Sequence, residues 1–153
     1  MENLNISDPA AAGDAGHVQL NGHKQYAGEN ALFTSHMAVL ENGTAQFILR
    51  ALKMNGSTML IVNLKENEVF DELAVGMPAR DSTKSDALSS TLMGGYGQTE
   101  SSVLAAKLSK RYGRQFFVSL NIGGDRLVTP LFENRSSPTC RAIWLILYRP
   151  VSA

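Results

Sequence analysis

The chain has 153 residues, about the size of one domain, and 44% of them are hydrophobic, enough for a real core. Lys plus Arg and Asp plus Glu number 14 each, so the formal net charge is zero. That balance argues against the broad basic surface of a nucleic-acid binder, and it leaves little charge-based solubility, so a permanent partner would be welcome.

Residues 1–28 are rich in Gly, Ala, Asn and Asp, with few large apolar groups. Such a segment cannot bury enough surface to offset the entropy of ordering, and a disordered tail is expected. The stretch LFTSHMAVL puts Phe33, Met37 and Val39 on one side of an extended strand. QFILRALKMNGSTMLIVNL then reads as a hairpin, with Asn55-Gly56 as a two-residue type I′ turn. Counting back from that turn pairs Ala51 with Leu60, Leu49 with Val62 and Phe47 with Leu64, which makes one wholly apolar face. The other face pairs Leu52 with Met59, Arg50 with Ile61 and Ile48 with Asn63, and is still half apolar. A face left to water alternates more cleanly, so something covers part of it, either the chain's own helix or another subunit.

LAVGM places Leu73, Val75 and Met77 on one side and stops at Pro78, and ALSSTLM is a short strand before the Gly94–Gly97 break. Thr99 suits the N-cap of a helix running to Tyr112. Leu104, Leu108 and Tyr112 form its apolar stripe, Lys107, Lys110 and Arg111 sit toward its C-terminus, and Gly113 suits the residue after it. Phe116, Val118, Leu120 and Ile122 alternate in the next strand. Gly123-Gly124-Asp125 turns the chain into RLVTPLFE, and RAIWLILYRPVSA ends it. The sum is a single α+β domain: about six strands in a mainly antiparallel sheet, with one main helix over 99–112 packed on it.

Little in this chain can do covalent chemistry. Gly95-Tyr96-Gly97 sits where a phosphate-binding turn would, but the third glycine of the dinucleotide fingerprint is replaced by Glu100, whose carboxylate repels a pyrophosphate. His17, His23 and His36 have no partners at metal-ligand spacing. No serine sits in a Gly-x-Ser-x-Gly elbow. Asp71 and Glu72 would point to opposite faces of a strand. No catalytic residue, metal ligand or cofactor is expected. Lys107, Lys110, Arg111 and Arg114 read as a solvated helix end complementing its dipole, or as a patch for an acidic partner. The lone Cys140, the absence of a basic-then-apolar leader and the lack of an apolar run of about 20 residues lead us to expect a soluble protein of a reducing compartment.

LAAKLSKRYGRQFFVSLNI (104–122) resembles the helix-strand unit of the proteasome assembly chaperone 4 family, a leucine-alanine helix with basic residues followed by a strand of the form Gln-Val-Phe-Val-Ser-x-Asn. LAVGM (73–77), SSTLMGG (89–95) and PLFENR (130–135) are similar to further segments of that family, in the same order. The resemblance spans roughly residues 32–135.

The resemblance implies an assembly-chaperone domain over 29–135 without catalytic activity. It would pair with proteasome assembly chaperone 3 and hold α-type subunits while the α-ring of the 20S core particle is built, in the cytoplasm and also the nucleus. The contact residues expected are Leu88, Thr91, Leu92 and Met93 with Lys107, Lys110, Arg111 and Arg114. Neither nucleic acid nor membrane is an expected partner. The family's charged C-terminal helix has no counterpart in residues 136–153, where an apolar run flanked by Pro138 and Pro150 fits an extra strand, a buried anchor or the product of an unusual transcript. The rival readings are a homodimeric scaffold or trafficking adaptor subunit, and a small nucleotide-binding protein using the Gly94–Gly97 turn.

Overall fold

The computed structural model describes residues 19–21, 33–42, 45–81, 86–123, 132 and 136–148. Among these residues seven strands are formed: β1 (Gln19–Asn21), β2 (Phe33–Asn42), β3 (Ala45–Met54), β4 (Ser57–Leu64), β5 (Leu73–Met77), β6 (Leu88–Met93) and β7 (Gln115–Asn121). Two helices among the described residues accompany them, α1 (Glu100–Tyr112) and α2 (Pro138–Tyr148). The sheet has the order β1-β2-β3-β4-β7-β5-β6, six main strands extended at one edge by the three-residue β1. All pairings are antiparallel except β4 with β7, which are joined through β5, β6 and α1. The fold is α+β, as the sequence leads one to expect.

The hairpin register is the one counted from its turn, with Phe47 opposite Leu64, Leu49 opposite Val62 and Ala51 opposite Leu60. The turn type differs. Of the two central residues only Gly56 has positive φ (79°), and no described residue other than a glycine does. A type I′ turn needs positive φ at both central residues, whereas this is the pattern of a type II turn. The flanking partners β2 and β7 hold β3 and β4 in register along their length, so the turn need not supply the strand twist itself.

Both helices pack on one face of the sheet, where Leu40, Phe47, Leu49, Leu60, Val62 and Phe116 are buried. Helix α1 adds Leu104, Ala105 and Leu108 to this core, and α2 adds Ala142, Ile143, Ile146 and Leu147. A Cβ on Gly76 would collide with the carbonyl of Ala105, so that glycine lets β5 and α1 approach. Helix α1 has the expected N-cap, with the Thr99 hydroxyl accepting from Ser102 N–H at 3.2 Å and Thr99 N–H donating to the Ser102 hydroxyl at 2.9 Å. It ends at Gly113 with φ 64°.

The C-terminal segment is a helix rather than an extra strand. Pro138 takes its first position, where the missing N–H would have had no partner in any case. Ser137 caps it, its hydroxyl accepting from Cys140 N–H at 3.2 Å and its carbonyl from Arg141 N–H at 3.1 Å. At the far end the Lys53 ammonium donates to the Leu147 carbonyl at 2.8 Å. The buried anchor is thus one side of a helix. β1 falls inside the stretch expected to be a tail, and the rest of residues 1–28 lies outside the described residues. So does the RLVTPLFE segment, apart from the buried Phe132.

Candidate functional site

The apolar side chains of a two-faced sheet go wherever cover exists, and the helices among the described residues lie on one side of this sheet. The other face carries Phe33, Met37 and Val39 from β2, Leu52 and Met54 from β3, Met59 and Ile61 from β4, and Phe117 from β7. Most are half-buried by one another, and Phe33 is exposed. Toward β5 and β6 the same face continues through Leu73, Val75 and Met77, opposite Met93, Ser90 and Leu88. A register shift next to Ala74 leaves Leu92 as an extra residue in β6, and Leu92 and Met93 are both exposed.

Loop 65–72 covers only one end of this face. Asn63 accepts from Val69 N–H at 3.1 Å, and Asn121 donates to the Val69 carbonyl at 2.9 Å and accepts from Asp71 N–H at 3.2 Å. Glu68 of the loop meets Arg50 in a two-pronged ion pair, 2.8 and 3.0 Å long. Arg50 holds the Glu68 carboxyl below the usual carboxylate range, and Glu68 in turn raises the guanidinium. The Arg50 guanidinium on the open face is therefore neutralised in place. What remains is a broad, largely apolar surface.

The expected contact residues fall into two groups. Leu88, Leu92 and Met93 lie on β6, the edge strand, with 70, 54 and 41% of their surface exposed. No described strand pairs with the outer side of β6. Thr91 is a brace: its hydroxyl donates to the Gly97 carbonyl at 2.9 Å and lies 3.4 Å from the Thr99 hydroxyl. Of the basic group, Lys107 is exposed and Lys110 pairs with Asp86 at 2.5 Å. Arg111 is turned inward, donating to the Phe132 carbonyl at 3.1 Å and to the Cys140 sulfur at 3.3 Å, and so ties α1 to the start of α2. Arg114 is half-buried beneath the helix end, where its carbonyl accepts the Ser109 hydroxyl at 2.7 Å.

The Gly94–Gly97 turn borders a hollow of about 510 Å³ lined by Ser89, Ser90, Thr91, Tyr96 and Ser102. The helix N-terminus beside it has its donors engaged. Ser101 N–H points to Glu72 at 3.4 Å, Ser102 N–H to Thr99, and Val103 N–H to the Thr99 carbonyl at 3.0 Å. With the Glu72 carboxylate already on the helix end, a phosphate would meet repulsion instead of open N–H groups. Among the described residues no group of three or more His, Cys, Asp or Glu could hold a metal ion. No helix among them is long and apolar enough to cross a membrane.

Sequence reasoning marked the hairpin's second face as half apolar and left open whether the chain's own helix or another subunit covers it. It missed the outward side of α2, where Trp144 and Tyr148 are exposed with ring centroids 5.6 Å apart. The signal was present, since positions 141, 144, 145 and 148 repeat at helical spacing.

The chain is similar to a chain of the "Crystal Structure of a Novel Chaperone Complex for Yeast 20S Proteasome Assembly", with 12% identity over 76% of this chain and 91% of that one. The TM-score is 0.49, a likeness too slight to argue from. No curated protein matches. The family model described as proteasome assembly chaperone 4 matches residues 46–122, a stretch that holds β4, β5, β6, α1 and β7 whole and nearly all of β3. By that match, over half of its length, the chain belongs to the proteasome assembly chaperone 4 family.

Proposed function

We propose that this protein is one half of a non-catalytic chaperone pair that assists assembly of the 20S proteasome α-ring, the other half being proteasome assembly chaperone 3. Family membership supports the role in proteasome assembly. The observation that carries the pairing is the open face of the sheet, where Met37, Leu52, Met59, Ile61 and Phe117 have no described helix over them. Two such faces stacked about 10 Å apart make a sandwich core, which removes this surface from water. The α-type subunit would be held at β6, whose edge lacks the lysine or proline that commonly blocks strand addition, and at the neighbouring Lys107–Lys110 side of α1. The work is binding, in the cytoplasm and also the nucleus: cover an unassembled α subunit, order the addition of its neighbours, then leave.

The test is co-expression with the matching assembly chaperone 3, read by size-exclusion chromatography with light scattering. A 1:1 complex is expected, and Ile61→Lys should abolish it while a thermal melt shows the variant still folded. A stable homodimer that ignores chaperone 3 and α subunits would instead favour a scaffold or adaptor subunit.

A further inference from the structure

We infer that loop 65–72 is part of the pairing surface, latched through Glu68 to Arg50 as its positioning residue, a role that rests on the pairing proposed above. The strand registers divide the open face into ranks that run across the sheet. At one end Gln46 donates to the Glu41 carboxylate at 2.6 Å and accepts from the Lys65 ammonium at 2.7 Å. The next rank is Val39, Ile48, Asn63 and Asn121, followed by Met37, Arg50, Ile61 and Ser119. Beyond these, Leu52, Met59, Phe117 and Val75 stand side by side. The face thus turns from polar to apolar along its strands, and Arg50 stands at the border.

Loop 65–72 lies at the polar side of that border. Ile48, opposite Asn63, is only 8% exposed although no described helix lies over it, and the loop is bonded to Asn63 itself. The loop leaves β4 in a turn closed by Asn67 N–H on the Leu64 carbonyl at 3.1 Å. Its far half is held through the backbone, Val69 by Asn63 and Asn121, and Asp71 by Asn121. The Glu68 contact is the one that reaches the border rank. Phe70, between the anchored Val69 and Asp71, is 43% exposed, so the loop brings an accessible large apolar side chain to this end.

Geometry makes the loop matter to a partner. Two stacked sheets lie about 10 Å apart, which leaves room for interleaved side chains but not for an intervening stretch of backbone. The loop is therefore a stop that sets how far the partner sheet extends along the strands, and so its register on this face. A stop fixed in advance favours binding, whereas a loop ordered only on contact subtracts its ordering entropy from the affinity. The two-pronged Arg50–Glu68 geometry supplies that fixing. Both the Nε and the Nη2 donors of Arg50 are spent on Glu68, so the guanidinium acts through the loop.

The test measures the affinity of the full-length chain for assembly chaperone 3 in Arg50→Glu, in Glu68→Arg and in the double variant that swaps the two charges. Each single reversal sets like charges together and should weaken pairing about fivefold, the factor that a half-exposed ion pair can supply. The swap restores opposite charges and should return most of the affinity. Amide exchange on the unpaired chains separates the loop from the fold: Val69 and Asp71 should exchange faster in the single variants while β3 and β4 stay protected. Single variants that pair as tightly as the parent overturn the inference and leave the pairing standing. Weakened pairing that the swap does not restore also overturns it, since the partner would then read Arg50 directly. If the parent chain itself forms no complex with chaperone 3, the pairing fails and the role of the loop with it.

Discussion

The Ser101 hydroxyl, fully buried in the first turn of α1, donates to the Glu72 carboxylate and accepts from the backbone N–H of Leu120 at 3.0 Å. The β5–β7 ladder reaches only Ala74 opposite Val118, and this hydroxyl takes the place of the next strand partner for β7. Replacing it strands a buried donor. Ser101→Ala is expected to lose about 1–3 kcal/mol of unfolding free energy, read as a lower urea midpoint at unchanged slope. Glu72→Gln, which keeps an acceptor, should lose less.

Helix α2 depends on its cap because no acid stands in its first turn to balance the dipole. Ser137→Ala removes the bond to Cys140 N–H and should cost about 1 kcal/mol. Pro138→Ala should be close to neutral, since the first helical N–H has no helical partner. Chemical denaturation of the two variants side by side separates the cap from the proline.

The Arg50–Glu68 pair sets an acid-side dependence. The Glu68 carboxyl is depressed in the folded chain, so its contribution is present above the ordinary glutamate value of about 4.3 and is lost as the pH falls below it. Both side chains are partly exposed, at 47 and 39%, so solvent screening keeps the contribution to about 1 kcal/mol or less. Stability curves of the parent and Glu68→Gln should converge below pH 4, and half-molar salt should narrow the gap above it. A constant gap down to pH 3 would exclude this origin.

Leu92 stands out from β6 at a register shift. Because it is exposed, Leu92→Asp should change the thermal midpoint by no more than a degree or two, equivalent to about 0.5 kcal/mol or less. In a pull-down with an α-type subunit the same variant should lose binding. Loss of stability in place of binding would mean that β6 is part of the fold's own support and not a contact edge.

The strands β3, β4, β5 and β7, the helix α1 with its Thr99 cap and Gly113 end, and the inner apolar face were all legible in the chain. They follow from local rules: period-two and period-3.6 patterning and capping chemistry act over a few residues and need no distant partner. The hairpin register was legible for the same reason, although the turn that joins its strands adopts a different type. Leu88, Leu92 and Met93 could be named beforehand only as expected contact residues; their exposure is read from the structure.

What the sequence alone could not give was the placement of non-local pieces. Pro138 reads as a break until Ser137 is seen to cap the helix it begins, and only burial of Ala142, Ile143, Ile146 and Leu147 against the sheet makes that apolar run a helix in place. Arg111 reads as a surface cation, yet the Phe132 carbonyl and Cys140 sulfur draw it inward. The parallel match of β4 with β7, and the choice of which face the helices cover, depend on long-range contacts whose energy no local window contains. Local periodicity determined the elements. Packing decided which apolar surface lies under the described helices and which does not.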